Sequence, residues 1–172
     1  MSTACLSLGS NVEPEANLRA AIAALRARFD GVRVSTVYRT RAVGFDGSDF
    51  LNAAAVVDTD LAPEALDAWL HALEDARGRD RSAPRYGDRT LDVDLVLYDD
   101  RIVEGPGQPG SGPGRTLRVP RDELRHAFVL RPLAEIAPGL VEPRSGRTLA
   151  LLWAESPERD ATMEPVPGFD VG

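Results

Sequence analysis

The sequence contains no lysine, a single cysteine and no long apolar segment. All 20 basic side chains are arginines, which we attribute to genome composition and not to function. One cysteine, Cys5, cannot build a disulfide framework, so we expect a protein of the reducing cytoplasm. No stretch approaches the roughly 20 apolar residues that a membrane helix requires, and no charged leader precedes an apolar run. We therefore expect a soluble, unexported chain.

The charge and size of the chain narrow its class further. A net charge of -7 argues against a nucleic-acid binder or a binder of anionic membranes, since both require a basic surface. The chain has 172 residues, 43% hydrophobic and 27% charged, which is typical of one globular domain. We predict a single domain over residues 1–172.

Two aspartates interrupt an apolar strand pattern over residues 90–97. Because side chains alternate along a strand, Asp92 and Asp94 share one face. The other face carries Leu91, Val93, Leu95 and Leu97. Side chains two residues apart on a strand are roughly 7 Å apart, which allows two carboxylates to converge on hard divalent ions such as Mg²⁺. The alternative is a solvated outer face.

A cluster of arginines precedes this strand. Gly78 and Gly87 lie among its five arginines, so we predict a mobile loop that carries guanidinium groups. The arginines are Arg77, Arg79, Arg81, Arg85 and Arg89. Cations that face carboxylate-bound metal ions indicate a polyphosphate between them. A surface patch of Arg–Asp salt bridges is the alternative, and it would contribute little to stability.

The order of predicted elements is strand, helix, strand, strand, helix, strand. This order predicts an α+β fold with a ferredoxin-like βαββαβ core in residues 1–100, in which an antiparallel sheet has two helices on one face and C-terminal additions on the other. A flexible Gly/Pro-rich excursion is predicted at 104–114, a helical part at 120–142, and a low-signal tail at 143–172 that is mobile from Glu155 onward.

Four further side chains have more than one interpretation. Asn52 interrupts an apolar strand, so it either reads the edge of a heterocycle or is satisfied by neighbouring backbone. Phe128 either stacks on a flat ring or packs in the core. His71 lies off the apolar stripe of its helix and is expected at the surface, and Glu74 either orients an arginine or is solvated.

The arginine and aspartate motifs have a match in a known family. The stretch RYGDRTLDVDLVLY at 85–98, with an upstream RxR, resembles the signature of the 6-hydroxymethyl-7,8-dihydropterin pyrophosphokinases of folate biosynthesis, which is close to GRxR followed by RWGPRxLDxDI. Further matches follow in the family's order and cover residues 1 to about 142. They are LSLGSN at 6–11, YRT at 38–40, DFLNAA at 49–54 and AFVLRPLAEIAPGL at 127–140.

The resemblance implies an activity and a role for each matching residue. The family moves pyrophosphate from ATP to the hydroxymethyl oxygen of the reduced pterin, giving AMP and the pterin diphosphate. The matching positions are Asp92 and Asp94 for two Mg²⁺ ions, Arg79 and Arg89 for catalysis, Arg81, Tyr86 and Arg121 for ATP, and Thr40, Val43, Asn52, Tyr86 and Phe128 for the pterin. We expect a monomer with a functional link to other folate enzymes.

The sequence also departs from the family pattern. Tyr86 replaces a Trp, Asp88 a Pro, and Arg121 a nucleotide-contacting His, while His126 stands near a missing Arg. Arg121 is a candidate phosphate ligand in place of the His. Two alternatives therefore stay open. One is the same reaction on a modified pterin, and the other is a weakened paralogue that binds pterin or nucleotide without efficient turnover.

Overall fold

The computed structural model describes residues 1–41, 48–78, 90–106 and 116–167. Within them the helices are α1 (Pro14–Arg28), α2 (Pro63–Ala76), α3 (Ala127–Ile136) and α4 (Leu149–Ala154), with a 3₁₀ turn at Asp122–Arg125. The strands are β1 (Ser2–Ser10), β2 (Asp30–Val34), β3 (Tyr38–Thr40), β4 (Phe50–Thr59), β5 (Asp92–Tyr98), β6 (Val103–Pro106), β7 (Thr116–Val119), β8 (Val141–Glu142), β9 (Arg147–Thr148) and β10 (Glu164–Pro165).

The main sheet has six strands, and its pairings are antiparallel. Its order is β10-β3-β4-β1-β5, and β2 also pairs with β4. β1 lies between β4 and β5, and it pairs with β4 along its full length, from Ser2 opposite Thr59 to Ser10 opposite Leu51. Two small ribbons, β6-β7 and β8-β9, lie outside this sheet. The predicted mixed fold with an antiparallel sheet is confirmed.

Both faces of the sheet are covered, which is why its strands are apolar in nearly every position. Leu6 and Leu8 of β1 point towards α1 and α2 and are fully buried, each contributing about 1.5–3 kcal/mol to stability. Cys5, which directly precedes Leu6, points to the opposite face and packs with α3. The polar site described below lies at the end of this second face, beyond the part that α3 covers.

The two long helices follow the predicted periodicity. α1 begins at Pro14, where proline's missing N–H costs no hydrogen bond, and it buries Leu18, Ala21, Ile22 and Leu25. α2 likewise begins at a proline, Pro63. Among the described residues, none of the helices combines the length and apolar character needed to cross a membrane.

β5 contains an irregularity that the sequence did not predict. Leu95 pairs with Leu6 and Leu97 with Cys5, so Val96 is an extra residue in β5, as in a β-bulge. Leu91, Val93 and Leu95 pack towards α1 and α2 as predicted, but Leu97 packs on the α3 side with Val96. Asp92 and Asp94 precede the bulge, so the prediction that they share a face is unaffected.

Two predicted irregular segments contain regular structure. Residues 104–106, assigned from their Gly/Pro content to a flexible excursion, belong to β6 and pair with β7; residues 107–115 lie outside the described part. The predicted mobile tail is also corrected for residues 155–167. There Met163 is buried, and Glu164 and Pro165 pair with β3 at the edge of the main sheet.

Candidate active site

One cross-strand row of the sheet contains a predicted pterin residue, Asn52, and a predicted metal ligand, Asp92. In the register of the sheet, Tyr38 lies opposite Asn52, Asn52 opposite Gly9, and Gly9 opposite Asp92. Directly opposed residues point to the same face, and two strand spacings place the backbones of Asn52 and Asp92 about 10 Å apart. A Cβ atom on Gly9 would lie 3.0 Å from Asn52 Oδ1. Glycine therefore lets the side-chain amide of Asn52 lie close against the backbone of β1.

Asp92 and Asp94 are both half-buried on this face, as the sequence predicts. Asp94 lies opposite Ser7 in the next row, and its Oδ1 is 3.6 Å from Nη2 of Arg121. Burial raises the pKa of Asp94 above its usual value, Arg121 opposes this rise, and the charge of Asp92 adds to it. Two carboxylates and a guanidinium group therefore meet at one end of the sheet.

Arg121 reaches Asp94 because its backbone is fixed to β5. Its N–H donates to the carbonyl of Val96 at 3.0 Å, in the turn that follows β7. Its Nε lies 3.2 Å from Oε2 of Glu123. Burial lowers the pKa of Arg121, but the neighbouring carboxylates, Asp94 first among them, outweigh it and raise that pKa overall. The guanidinium group is thus charged and held beside Asp94.

Asn52 is buried and bound to a second predicted pterin residue. Its Nδ2 donates to Oγ1 of Thr40 at 2.6 Å, so a side chain and not backbone satisfies this donor. Phe50 lies two residues before Asn52 on β4 and opposite Thr40, and therefore on the same face. Sequence reasoning did not single out Phe50, although the same two-residue alternation that grouped Asp92 with Asp94 would have found it.

Phe128 lies in the first turn of α3, above the Tyr38 end of the row. It packs against a cluster that contains Tyr38 and Met163. Its ring stacks on His126 with centroids 5.4 Å apart and planes at 10°. His126 Nδ1 is 3.1 Å from Oε2 of Glu158, whose other oxygen accepts the backbone N–H of Ala127 at 3.1 Å. The C-terminal segment therefore holds the start of α3.

The end of α2 carries a buried polar cluster that sequence reasoning missed. His71, expected at the surface, is 8% exposed, and Glu74 is 2% exposed, so its solvated alternative is wrong. Glu74 Oε2 accepts the backbone N–H of Val93 at 2.9 Å, at the open edge of β5. Oδ2 of Asp67 lies 3.5 Å from Nδ1 of the His71 imidazole. Asp67, His71 and Glu74 are spaced by four and three residues, so they form a polar stripe beside Leu66 and Leu70. This spacing is the signal that could have revealed the cluster.

Five predicted site residues lie outside the described residues: Val43, Arg79, Arg81, Tyr86 and Arg89. Described residues near these positions form hydrogen bonds with the end of β1, the residue after it, and α1. Ser10 Oγ donates to the carbonyl of Thr90, and Asn11 Nδ2 donates to that of Ser48 at 3.2 Å. Arg77 Nε donates to Oδ1 of Asn17 at 2.9 Å. The region from the end of β1 to the start of α1 thus holds Ser48, Arg77 and Thr90 in place.

Comparisons with known proteins show the family to which the chain belongs. A sequence model of the 7,8-dihydro-6-hydroxymethylpterin-pyrophosphokinase (HPPK) family matches residues 5–138. The chain is 38% identical to a 2-amino-4-hydroxy-6-hydroxymethyldihydropteridine pyrophosphokinase of Synechocystis over 98% of this chain and 83% of that protein. It is 38% identical to the protein of the same name from Pseudomonas aeruginosa, over 95% of this chain and 96% of the other.

Solved structures show the same fold. The wild-type HPPK-DHPS of Plasmodium falciparum, crystallised with SDX-DHP, superposes with a TM-score of 0.70 over 94% of this chain at 13% identity. A further HPPK-DHPS in complex with substrates gives a TM-score of 0.72 at 10% identity. The chain spans 45% and 46% of those two chains, so the similarity covers one part of each.

Proposed function

The chain belongs to the 7,8-dihydro-6-hydroxymethylpterin-pyrophosphokinase family, and on that premise we propose that it transfers pyrophosphate from ATP to 6-hydroxymethyl-7,8-dihydropterin. The products are AMP and the pterin diphosphate, and the reaction is a step of folate biosynthesis. The observation that carries the proposal is the row in which Asn52, Gly9 and Asp92 face the same side of the sheet. In this proposal Asn52 reads the heterocycle and Asp92 holds a charged ligand, and their positions in one row support both roles.

Asp92 and Asp94 fit two Mg²⁺ ions by the chemistry of their donors. Carboxylate oxygens are the ligands that Mg²⁺ prefers, and both carboxylates are half-buried on one face. Bound there, the ions would neutralise and orient the phosphate oxygens of ATP. The charge of Arg121 beside Asp94 also fits a polyphosphate, because a guanidinium group binds phosphate oxygens in a fork geometry. We assign Arg121, Arg81 and Tyr86 to ATP.

The pterin occupies the other end of the row in this proposal. Asn52 presents an amide to the edge of the pterin, and Thr40 orients that amide by accepting its N–H. Phe128 stacks on the ring in this proposal, and we assign Val43 and Tyr86 to pterin binding as well. Binding at about two strand spacings from Asp92 leaves the hydroxymethyl oxygen directed at the phosphates.

The transfer itself needs positioning and charge neutralisation more than a covalent intermediate. A bond forms between the hydroxymethyl oxygen and the β-phosphorus, and the bond from that phosphorus to the α,β-bridging oxygen breaks to release AMP. We assign Arg79 and Arg89 to the negative charge that develops on the transferred group.

The nucleotide product tests this proposal. With ATP, Mg²⁺ and the hydroxymethylpterin, the protein should release AMP and not ADP, and Asp94→Asn should reduce the rate by at least 100-fold while the protein stays folded. Asp100→Asn is a matched control, because Asp100 is exposed in the turn after β5. Binding of both substrates without AMP would contradict the proposal and favour a weakened paralogue.

The proposal extends to the core fold, the cellular compartment and the oligomeric state of the protein. The strand order and two helices on one face support a ferredoxin-like βαββαβ core within a single catalytic domain. The buried free thiol of Cys5 fits a reducing cytoplasm. We infer a monomer, and the HPPK-DHPS chains of similar fold support a functional link to another folate enzyme.

A further inference from the structure

We propose that His71, Glu74 and Asp94 form a binding site for a divalent transition-metal ion such as Zn²⁺, distinct from the proposed magnesium pair. One ligand atom of each residue lies within 4.8 Å of the other two. The site lies where the last turn of α2 meets the open edge of β5. It mixes imidazole nitrogen with carboxylate oxygen, a donor set that suits zinc or cobalt better than magnesium.

The spacing of the ligand atoms supports a metal more than a hydrogen bond. His71 Nε2 is 3.6 Å from Oε1 of Glu74, which is beyond the usual length of a hydrogen bond. Two atoms that each lie about 2.1 Å from one ion, at an angle of about 110–120°, are about 3.4–3.6 Å apart. The imidazole and the carboxylate are therefore already at the separation of two ligands of one ion.

The neighbours of these two residues fix their orientation. Glu74 Oε2 accepts the N–H of Val93, and Glu74 Oε1 lies 3.6 Å from Nε2 of His71. Asp67 Oδ2 lies 3.5 Å from His71 Nδ1. Asp67 therefore lies on the Nδ1 side of the imidazole and Glu74 on the Nε2 side. In metal sites, the ring nitrogen of a histidine that does not bind the ion commonly faces a carboxylate.

Asp94 connects this site to the proposed active site without making the two equivalent. Its Oδ1 lies 3.6 Å from Arg121, so an ion bound with His71 competes with Arg121 for this carboxylate. Asp92 is not part of the cluster. The proposed ion therefore needs His71 and not Asp92, whereas the magnesium pair needs Asp92.

X-ray absorption at the zinc edge tests the proposal on the full chain with one equivalent of Zn²⁺ and no nucleotide. We expect one imidazole ligand in the wild type. The imidazole signal should disappear in His71→Gln, and the affinity of this variant for Zn²⁺ should be at least tenfold weaker. In Asp67→Asn the affinity for Zn²⁺ should fall about 10–100-fold. The chain has only one other histidine, so His126→Gln is the matched control and should keep the imidazole signal.

The outcomes separate this site from the proposed function. Asp92→Asn should abolish AMP formation but keep zinc binding through imidazole. A wild-type spectrum without imidazole overturns the site whether or not the variants fold. So does a signal that disappears with His126→Gln, or a loss of zinc affinity in Asp92→Asn equal to that in His71→Gln.

Discussion

Asn52 and Asp92 lie two strands apart on one cross-strand row, and the residue between them is Gly9. The row points to the face of the sheet that α3 leaves open. The amide proposed to read the pterin and a carboxylate proposed to hold metal are thus fixed to the same sheet, on either side of Gly9. The distance between the two functions is set by the spacing of strands, which side-chain motion cannot change.

We predict that Gly9→Ala weakens pterin binding more than it weakens the fold. The new Cβ would lie 3.0 Å from Asn52 Oδ1, the end of a side chain and not backbone, so Asn52 should rotate away. Losing one hydrogen-bonded contact costs about 1 kcal/mol, or roughly a fivefold increase in the KM for the pterin. Steady-state kinetics with each substrate varied in turn measure this increase, and the KM for ATP should change little.

Gly139→Ala is the matched control for this substitution. No heavy atom lies within 4 Å of the position of its Cβ, so neither KM should change. Equal increases in the two KM values of Gly9→Ala would show that the substitution disturbs the whole sheet and not Asn52.

Thr40→Val should raise the KM for the pterin by a smaller factor than Asn52→Ala. Valine keeps the shape of threonine but removes the oxygen that accepts the amide N–H of Asn52 at 2.6 Å. The amide then loses its fixed orientation, at a cost of about 0.5–1.5 kcal/mol. Thr36→Val is the control, since Thr36 bonds to Glu135. A pterin KM unchanged in Thr40→Val would show that Thr40 does not orient the amide.

Arg121→Met should raise the KM for ATP and leave the KM for the pterin nearly unchanged. A hydrogen bond to a charged group contributes about 1.5–3 kcal/mol, which corresponds to roughly a 10–100-fold change in affinity. Arg118→Met is the control, because Arg118 is exposed and pairs with Glu104 and Asp122. If the KM for ATP of Arg121→Met equals that of the wild type, then Arg121 pairs with Asp94 but does not bind ATP.

The elements that the sequence predicted well are those with a local periodic signal. α1 repeats apolar residues at helical spacing, and β5 alternates them, so their inward faces could be assigned without knowing their partners. The shared face of Asp92 and Asp94 follows from that alternation alone. The bulge at Val96 does not, because it is a property of the register between β5 and β1, two strands far apart in the chain.

The features that the sequence missed depend on contacts between distant segments. His71 and Glu74 have the polarity of a solvated helix face, but they are buried because the end of α2 packs on the open edge of β5. Glu158 and β10 lie in a tail whose polar, proline-rich composition predicted mobility. β10 has only two residues, and Glu158 is a single carboxylate that bonds to the start of α3, so neither leaves a periodic signal in the sequence.

Glu158→Gln should reduce stability at neutral pH but not in acid. Burial raises the pKa of Glu158, but the Ala127 N–H and His126 outweigh it, so this pKa is lowered overall. A lowered carboxyl pKa stabilises the folded state above the ordinary Glu pKa, and the effect disappears as the pH falls through the lowered value. Thermal unfolding should therefore show a Tm gap between the wild type and Glu158→Gln at pH 7 that closes in acid.

Asp160→Asn is the control for this pH dependence. Asp160 is exposed two residues along the same segment, so its Tm should follow that of the wild type at both pH values. A gap for Glu158→Gln that is the same at neutral and acid pH would show that the charge of Glu158 does not stabilise α3.

Cys5 should resist alkylation in the folded protein. Burial within the sheet, opposed in part by the charge of Arg33, raises the pKa of its thiol to about 12. At pH 8 only about one thiol in ten thousand would then be the reactive thiolate, and the 1% exposed side chain is inaccessible to the reagent. Pulse labelling with iodoacetamide should modify the chain only when denaturant unfolds it. Because Cys5 is the only cysteine, its labelling then reports global unfolding, and rapid labelling without denaturant would show that β1 opens locally in the native state.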